Sequence, residues 1–157
     1  MKGTTRLILR KPYILIATIA ITVLMATGYG SRVYPDLPAN PIEFHTGVFE
    51  NPQNNNDEAS FSSIEYNGRT YILYGTVKGR LKKSDIESCL GYIVQDGEKL
   101  DDIRIYSLSA GSNNNYLVEY AADGEMKQPH FLRAVDTVGE DIETPAYIDD
   151  MGYEFWQ

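Results

Sequence analysis

The chain has 157 residues, enough for one domain once a leader is set aside, and its 22 acidic residues outnumber its 14 basic ones for a net charge of −8. Its single cysteine, Cys89, excludes an intrachain disulfide and a cysteine-based zinc site, so stability must come from packing. An excess of carboxylates repels phosphate backbones, which counts against nucleic acid as a partner.

The charges are divided along the chain. Lys2, Arg6, Arg10 and Lys11 give the first thirty residues +4 with no acid, whereas residues 31–157 hold 10 basic and 22 acidic groups, a balance of −12. After those cations, the sixteen residues from Pro12 to Thr27 carry no charge. Cations on the leading side hold that side in the cytoplasm, so residues 1–30 read as an N-terminal hydrophobic helix that carries the rest of the chain outside the cell membrane. A helix starting at Leu7 reaches Tyr29, an interfacial aromatic, and makes a single-pass anchor. Small residues around Gly28 and Gly30 offer the alternative of a signal peptide cleaved there and a secreted product.

Residues 31–60 contain Pro35, Pro38, Pro41 and Pro52 and a polar run from Asn51 to Glu58, a composition that predicts a flexible tether. Within it, Phe44 to Phe49 offers an edge strand. The domain is expected over residues 61–157. Ser63 to Tyr66 alternates into Asn67-Gly68, the strongest short hairpin signal, and Arg69 to Val77 returns as a central strand with apolar residues on both faces. Ser84-Asp85-Ile86-Glu87 has the form of a capping box, and Ile86, Cys89 and Leu90 recur at helical spacing up to Gly91, which predicts a short helix. Tyr92 to Gln95, Ile103 to Ser109, Tyr116 to Ala121 and His130 to Asp136 are β-branched or aromatic runs separated by turn clusters. The expected fold is α+β, a mainly antiparallel meander sheet of about six strands with one short helix; a small, partly open β-barrel is the alternative.

The segments Tyr66-Asn67-Gly68-Arg69-Thr70-Tyr71-Ile72-Leu73-Tyr74-Gly75-Thr76, Cys89-Leu90-Gly91-Tyr92-Ile93 and Arg104-Ile105-Tyr106 resemble small single-span exported proteins of Gram-positive bacteria. The resemblance implies the same anchor-plus-domain topology and assigns no activity, cofactor or site residue.

Candidate chemistry is sparse. Cys89 is a nucleophile only if His45 or His130 serves as its base, and its place on an apolar face suits a small core side chain equally. Asp96, Glu98, Asp101 and Asp102 gather at a turn without calcium-loop spacing, and Asp141, Glu143, Asp149 and Asp150 have no better pattern, so no metal or cofactor is expected. Lys78, Arg80 and Lys82 alternate along an apparent continuation of the strand, forming either a stripe for an anionic ligand or a guard on an exposed sheet edge. Tyr71, Tyr74, Tyr106 and Tyr120 are candidates for an aromatic binding surface, although tyrosines also suit a half-buried sheet.

The reading that gathers these observations is a non-catalytic extracytoplasmic interaction module tethered to the membrane, with an envelope protein, peptide or glycan as partner. A thiol-dependent hydrolase using Cys89 and an inhibitory or protective partner of another exported protein are the alternatives.

Overall fold

The computed structural model describes residues 34–53, 59–109, 113–121 and 128–157. The expected anchor and the cleavage positions at Gly28 and Gly30 lie outside these residues. Among the described residues no helix is long and apolar enough to cross a membrane.

The described chain is mostly β and forms one curled sheet, an open half-barrel. Its strands are β1 (Ile42–His45), β2 (Gly47–Glu50), β3 (Ser60–Tyr66), β4 (Arg69–Val77), β5 (Ile86–Gln95), β6 (Glu98–Leu108), β7 (Tyr116–Ala121), β8 (His130–Ala134) and β9 (Ile148–Asp150). Along the sheet the order is β1-β5-β6-β7-β8-β4-β3-β2, and β9 pairs with β4. Every pairing is antiparallel except β1 with β5. Asn67-Gly68 and Asp96-Gly97 all adopt positive φ, the conformation of two-residue hairpin loops whose twist matches the strands they join.

The curl follows from the two ends of that order. β1 and β2 lie at opposite ends of the sheet, yet only Thr46 separates them in sequence. A one-residue link spans only a few ångströms, so the sheet must bend until its ends meet. Thr46 itself continues the first pairing, its amide donating to the Val94 carbonyl at 3.1 Å.

Residues 34–53, expected in the tether, therefore belong to the fold. Phe44 is 1% exposed, and Tyr34 and Leu37 pack against the core. The prolines set extended backbone here, but Tyr34, Leu37 and Phe44 supply the apolar area that the polar run lacks.

The expected helix after Ser84 is also replaced. A single 3-10 turn, Lys83–Asp85, precedes β5, and the Asp85 carboxylate accepts from the Lys82 amide at 2.7 Å. The capping pair is Lys82 with Asp85 rather than the expected Ser84 with Glu87, and it closes a turn that leads into a strand. The helical spacing of Ile86 and Cys89 has a different origin. The register moves from Ile86 opposite Leu108 to Ser88 opposite Ser107, so Glu87 is an extra residue in the ladder. That bulge restores Ile86 and Cys89 to one face of the strand, three positions apart.

Two apolar clusters lie on the two faces of the sheet. Phe44, Ile64, Tyr71, Ile93, Ile105, Leu117 and Leu132 come from seven different strands and touch as one cluster, which places them inside the curl. The outer face carries Ile72, Tyr74, Tyr106, Tyr116, Val118 and Phe131, and is covered by Ile148, Phe155 and Trp156 from the C-terminal segment. The Trp156 indole donates to the Leu73 carbonyl at 3.1 Å, and Phe155 meets Phe49 and Phe61. Each large side chain buried this way contributes about 1.5–3 kcal/mol.

Gly91 controls the closing pair. It lies opposite Ile42 in the β1–β5 register, and a Cβ there would overlap the Ile42 carbonyl. Gly91→Ala should lower stability by about 1–3 kcal/mol, the usual cost of forcing atoms into a packed site. Urea unfolding measures that loss, and hydrogen exchange should show the amides of residues 42–46 losing protection before those of β7.

Candidate functional site

A cavity of about 140 Å³ opens on the inner face of the sheet. Its floor is made by Ser63, Ile64, Tyr71 and Leu132, all buried, and its rim by Thr46, Ser62, Glu119 and His130, which reach solvent to different degrees. Strand alternation explains why an acid faces this way. On β7, Leu117 belongs to the inner cluster and Val118 to the outer one, so Glu119 returns to the inner face. In the β7–β8 ladder Glu119 stands directly opposite His130, which places both side chains on the same face as cross-strand neighbours.

The two groups are electrostatically exposed to their burial and to little else. Desolvation raises the Glu119 carboxyl above its ordinary value and lowers the His130 imidazole below its own, with no hydrogen bond or neighbouring charge among the described residues offsetting either. His130 is thereby favoured as the neutral ring, able to donate from one nitrogen and accept at the other. The Tyr71 ring forms a wall while its hydroxyl donates to the Asn114 carbonyl at 2.6 Å. Thr46 and Ser62 add two hydroxyls.

The tyrosines expected to form a binding surface are mostly core residues. Tyr71 and Tyr106 have no exposure and Tyr74 is 5% exposed. Tyr120 is half-buried and stacks on Tyr34, with ring centroids 4.1 Å apart and planes 9° from parallel. A sheet covered on both faces takes up aromatic area that would otherwise meet a ligand. Burial pushes the Tyr106 hydroxyl up to about 12, with Arg104 nearby pulling the other way.

The expected cationic stripe also dissolves. β4 ends at Val77, Gly79 turns the chain with a φ of 80°, and Leu81 is buried between exposed Arg80 and Lys82. Lys78, Arg80 and Lys82 thus sit on a turn rather than along a strand, with Lys78 4.0 Å from Asp149. They guard no edge, because β4 pairs with β8 on one side and with β3 and β9 on the other.

Cys89 lies in the outer-face cluster and is 6% exposed, and burial pushes its thiol up, away from the reactive thiolate. His130 lines the inner cavity, so the sheet stands between the two; His45 lies opposite Val94, further along β5. Of the acidic groups, Lys99 approaches Asp101 at 3.7 Å and Asp150 accepts from the Gly152 amide at 2.7 Å. Among the described residues no three metal-ligating side chains gather to hold an ion.

Two arginines carry structure that spacing alone does not reveal. Arg69 grips Asp136 through two nitrogens, at 2.8 and 2.6 Å, and reaches the Asn114 carbonyl at 3.1 Å, tying the β3–β4 hairpin to the turn before β7. Arg133 is 7% exposed on the outer face, between Tyr74 at 5.2 Å, Tyr116 at 5.9 Å and Trp156 at 5.0 Å. Its guanidinium donates to the Thr137 hydroxyl and carbonyl, both at 2.8 Å, and the ring faces supply the remaining negative potential.

Two outcomes follow from these placements. A carboxyl whose folded pKa is raised above its ordinary 4.5 favours folding less as pH rises through the folded value, because ionisation is easier in the unfolded chain. Glu119→Gln should therefore raise the thermal midpoint at neutral pH, with the gain disappearing below about pH 4, where the carboxyl is protonated in both states. Scanning calorimetry across that range tests the sign. Cys89 should resist iodoacetamide in the native protein and react on denaturation, read by intact mass.

Compared with protein-family models, with curated proteins and with solved structures, the chain gives no match.

Proposed function

We propose that this chain is a non-catalytic interaction module displayed outside the cell membrane, tethered by its N-terminal segment, and that it receives its ligand in the inner-face cavity. The observation that carries the binding role is an acid and an imidazole side by side at a concave, solvent-reachable site, beside hydroxyls and an apolar floor. Ligand sites commonly combine a mainly apolar wall with a few convergent polar groups. The external location rests on the one-sided charge of residues 1–30, and an envelope protein, peptide or glycan is the partner expected there.

The hydrolase alternative loses support from the burial of Cys89 on the face opposite the cavity. The inhibitory-partner alternative keeps one observation in its favour. The β5–β6 hairpin presents Asp96 and Glu98 to solvent, where a basic surface would meet them.

The test combines binding and location. Small polar fragments titrated into the isotopically labelled full chain should shift the amides of Thr46, Ser63, Glu119 and His130 saturably. Protease added to intact cells should remove the domain and leave a retained N-terminal fragment. Fragment shifts absent from the cavity, or a domain shielded from protease until lysis, overturn the corresponding half of the reading.

A further inference from the structure

We propose that the inner-face cavity is a receptor for a primary ammonium on a short aliphatic stem, with Glu119 as its counter-ion. This rests on the reading of the cavity as the ligand site and specifies the chemistry of what enters it.

The charge of the lining comes first. Among the described residues Glu119 is the only acid lining the cavity, and none of the lysines or arginines among them lines it. Its carboxyl faces the space without a hydrogen bond or an ion pair among the described residues, and burial alone acts on it. Removing a carboxylate from water without a partner is costly, and a cation brought against it relieves that cost while gaining a charge-assisted hydrogen bond. An anionic ligand would instead add a second negative charge to the same site.

The other lining groups match the rest of an ammonium. An –NH₃⁺ has three donors and no acceptor, so it needs acceptors placed on different sides. Thr46 and Ser62 offer hydroxyl oxygens, and His130, favoured as the neutral ring by burial, offers a ring nitrogen. The Tyr71 hydroxyl is already engaged with Asn114 and the Arg69 guanidinium already lies over its ring, 5.9 Å from the centroid, so Tyr71 contributes only apolar wall. Leu73 and Leu132 supply an apolar wall for the methylene stem.

Size sets the upper limit. A volume of about 140 Å³ is close to that of an engineered cavity that takes benzene, which limits the buried portion to about six non-hydrogen atoms. A four-carbon amine fits this bound. The same group occurs as a free small amine and at the end of a lysine side chain, and the experiment separates these sources.

The full chain is titrated calorimetrically with n-butylammonium, with its uncharged counterpart n-butanol, and with a short peptide carrying one lysine. The amine should bind wild type at least about tenfold tighter than the alcohol, and Glu119→Gln should abolish most of that difference while still binding the alcohol. Retained alcohol binding shows that the variant keeps its cavity; should the variant not fold, the wild-type amine-to-alcohol ratio decides alone. Equal binding of amine and alcohol overturns the ammonium inference and leaves the cavity as a ligand site. Binding of neither overturns both. Tighter binding of the lysine peptide than of the free amine identifies a partner's side chain as the source, and the reverse identifies a free amine.

Discussion

Closure of the sheet through a single residue is the constraint on which everything else depends. β1 and β2 are pinned at opposite ends of the strand order while Thr46 alone joins them. The intervening strands must curl to bring those ends together, and the curl gives the sheet an inside. Without it, Phe44, Ile64 and Leu132 would have no common neighbour, and Glu119 and His130 would stand on a flat surface in bulk water. Ile42 approaches Gly91 so closely at that closure that a side chain there is disruptive out of proportion to its size.

The same curl explains why one sheet has two cores of different character. The inner face is narrow and holds one residue from each of several strands, with its open end left to polar groups. The outer face is wide, and the C-terminal segment with Trp156 and Phe155 covers it. Arg133 fits the outer face because its planar guanidinium stacks among Tyr74, Tyr116 and Trp156 as an aromatic group would, while Thr137 takes two of its donors. A lysine at that position would offer a compact charge with no plane to stack.

Local turn chemistry was the most legible part of the fold. Asn67-Gly68 marks the β3–β4 hairpin, and the strands expected over Arg69 to Val77 and Tyr116 to Ala121 keep those bounds. Two departures have one cause, in that pairing partners distant in sequence decide what a segment becomes. A bulge at Glu87 produced an apolar spacing that imitates a helix, and nothing in the segment itself distinguishes the two. The prolines before Asn51 suggested a tether, whereas Phe44 finds its neighbours on β3 to β8. The aromatic surface failed for a related reason, since the tyrosine pattern is the same whether the outer face is bare or covered. For the cavity, a signal was present in Leu117-Val118-Glu119: an acid at the inward phase of an otherwise apolar strand. His130 acquires meaning only from the register that sets it opposite Glu119.

Closure through Thr46 also has a kinetic side. β1 is complete early in the chain, but among the described residues its ladder partner is β5, and β4 meets β8 across three intervening strands. Such non-local pairings demand loop-closure entropy before any contact rewards it, which places the domain among slowly folding topologies. A nascent chain of this kind spends time with unpaired strand edges exposed, and a surplus of carboxylates keeps neighbouring copies apart during that interval. The acidity of residues 31–157 thus serves the unfinished chain as well as the finished one.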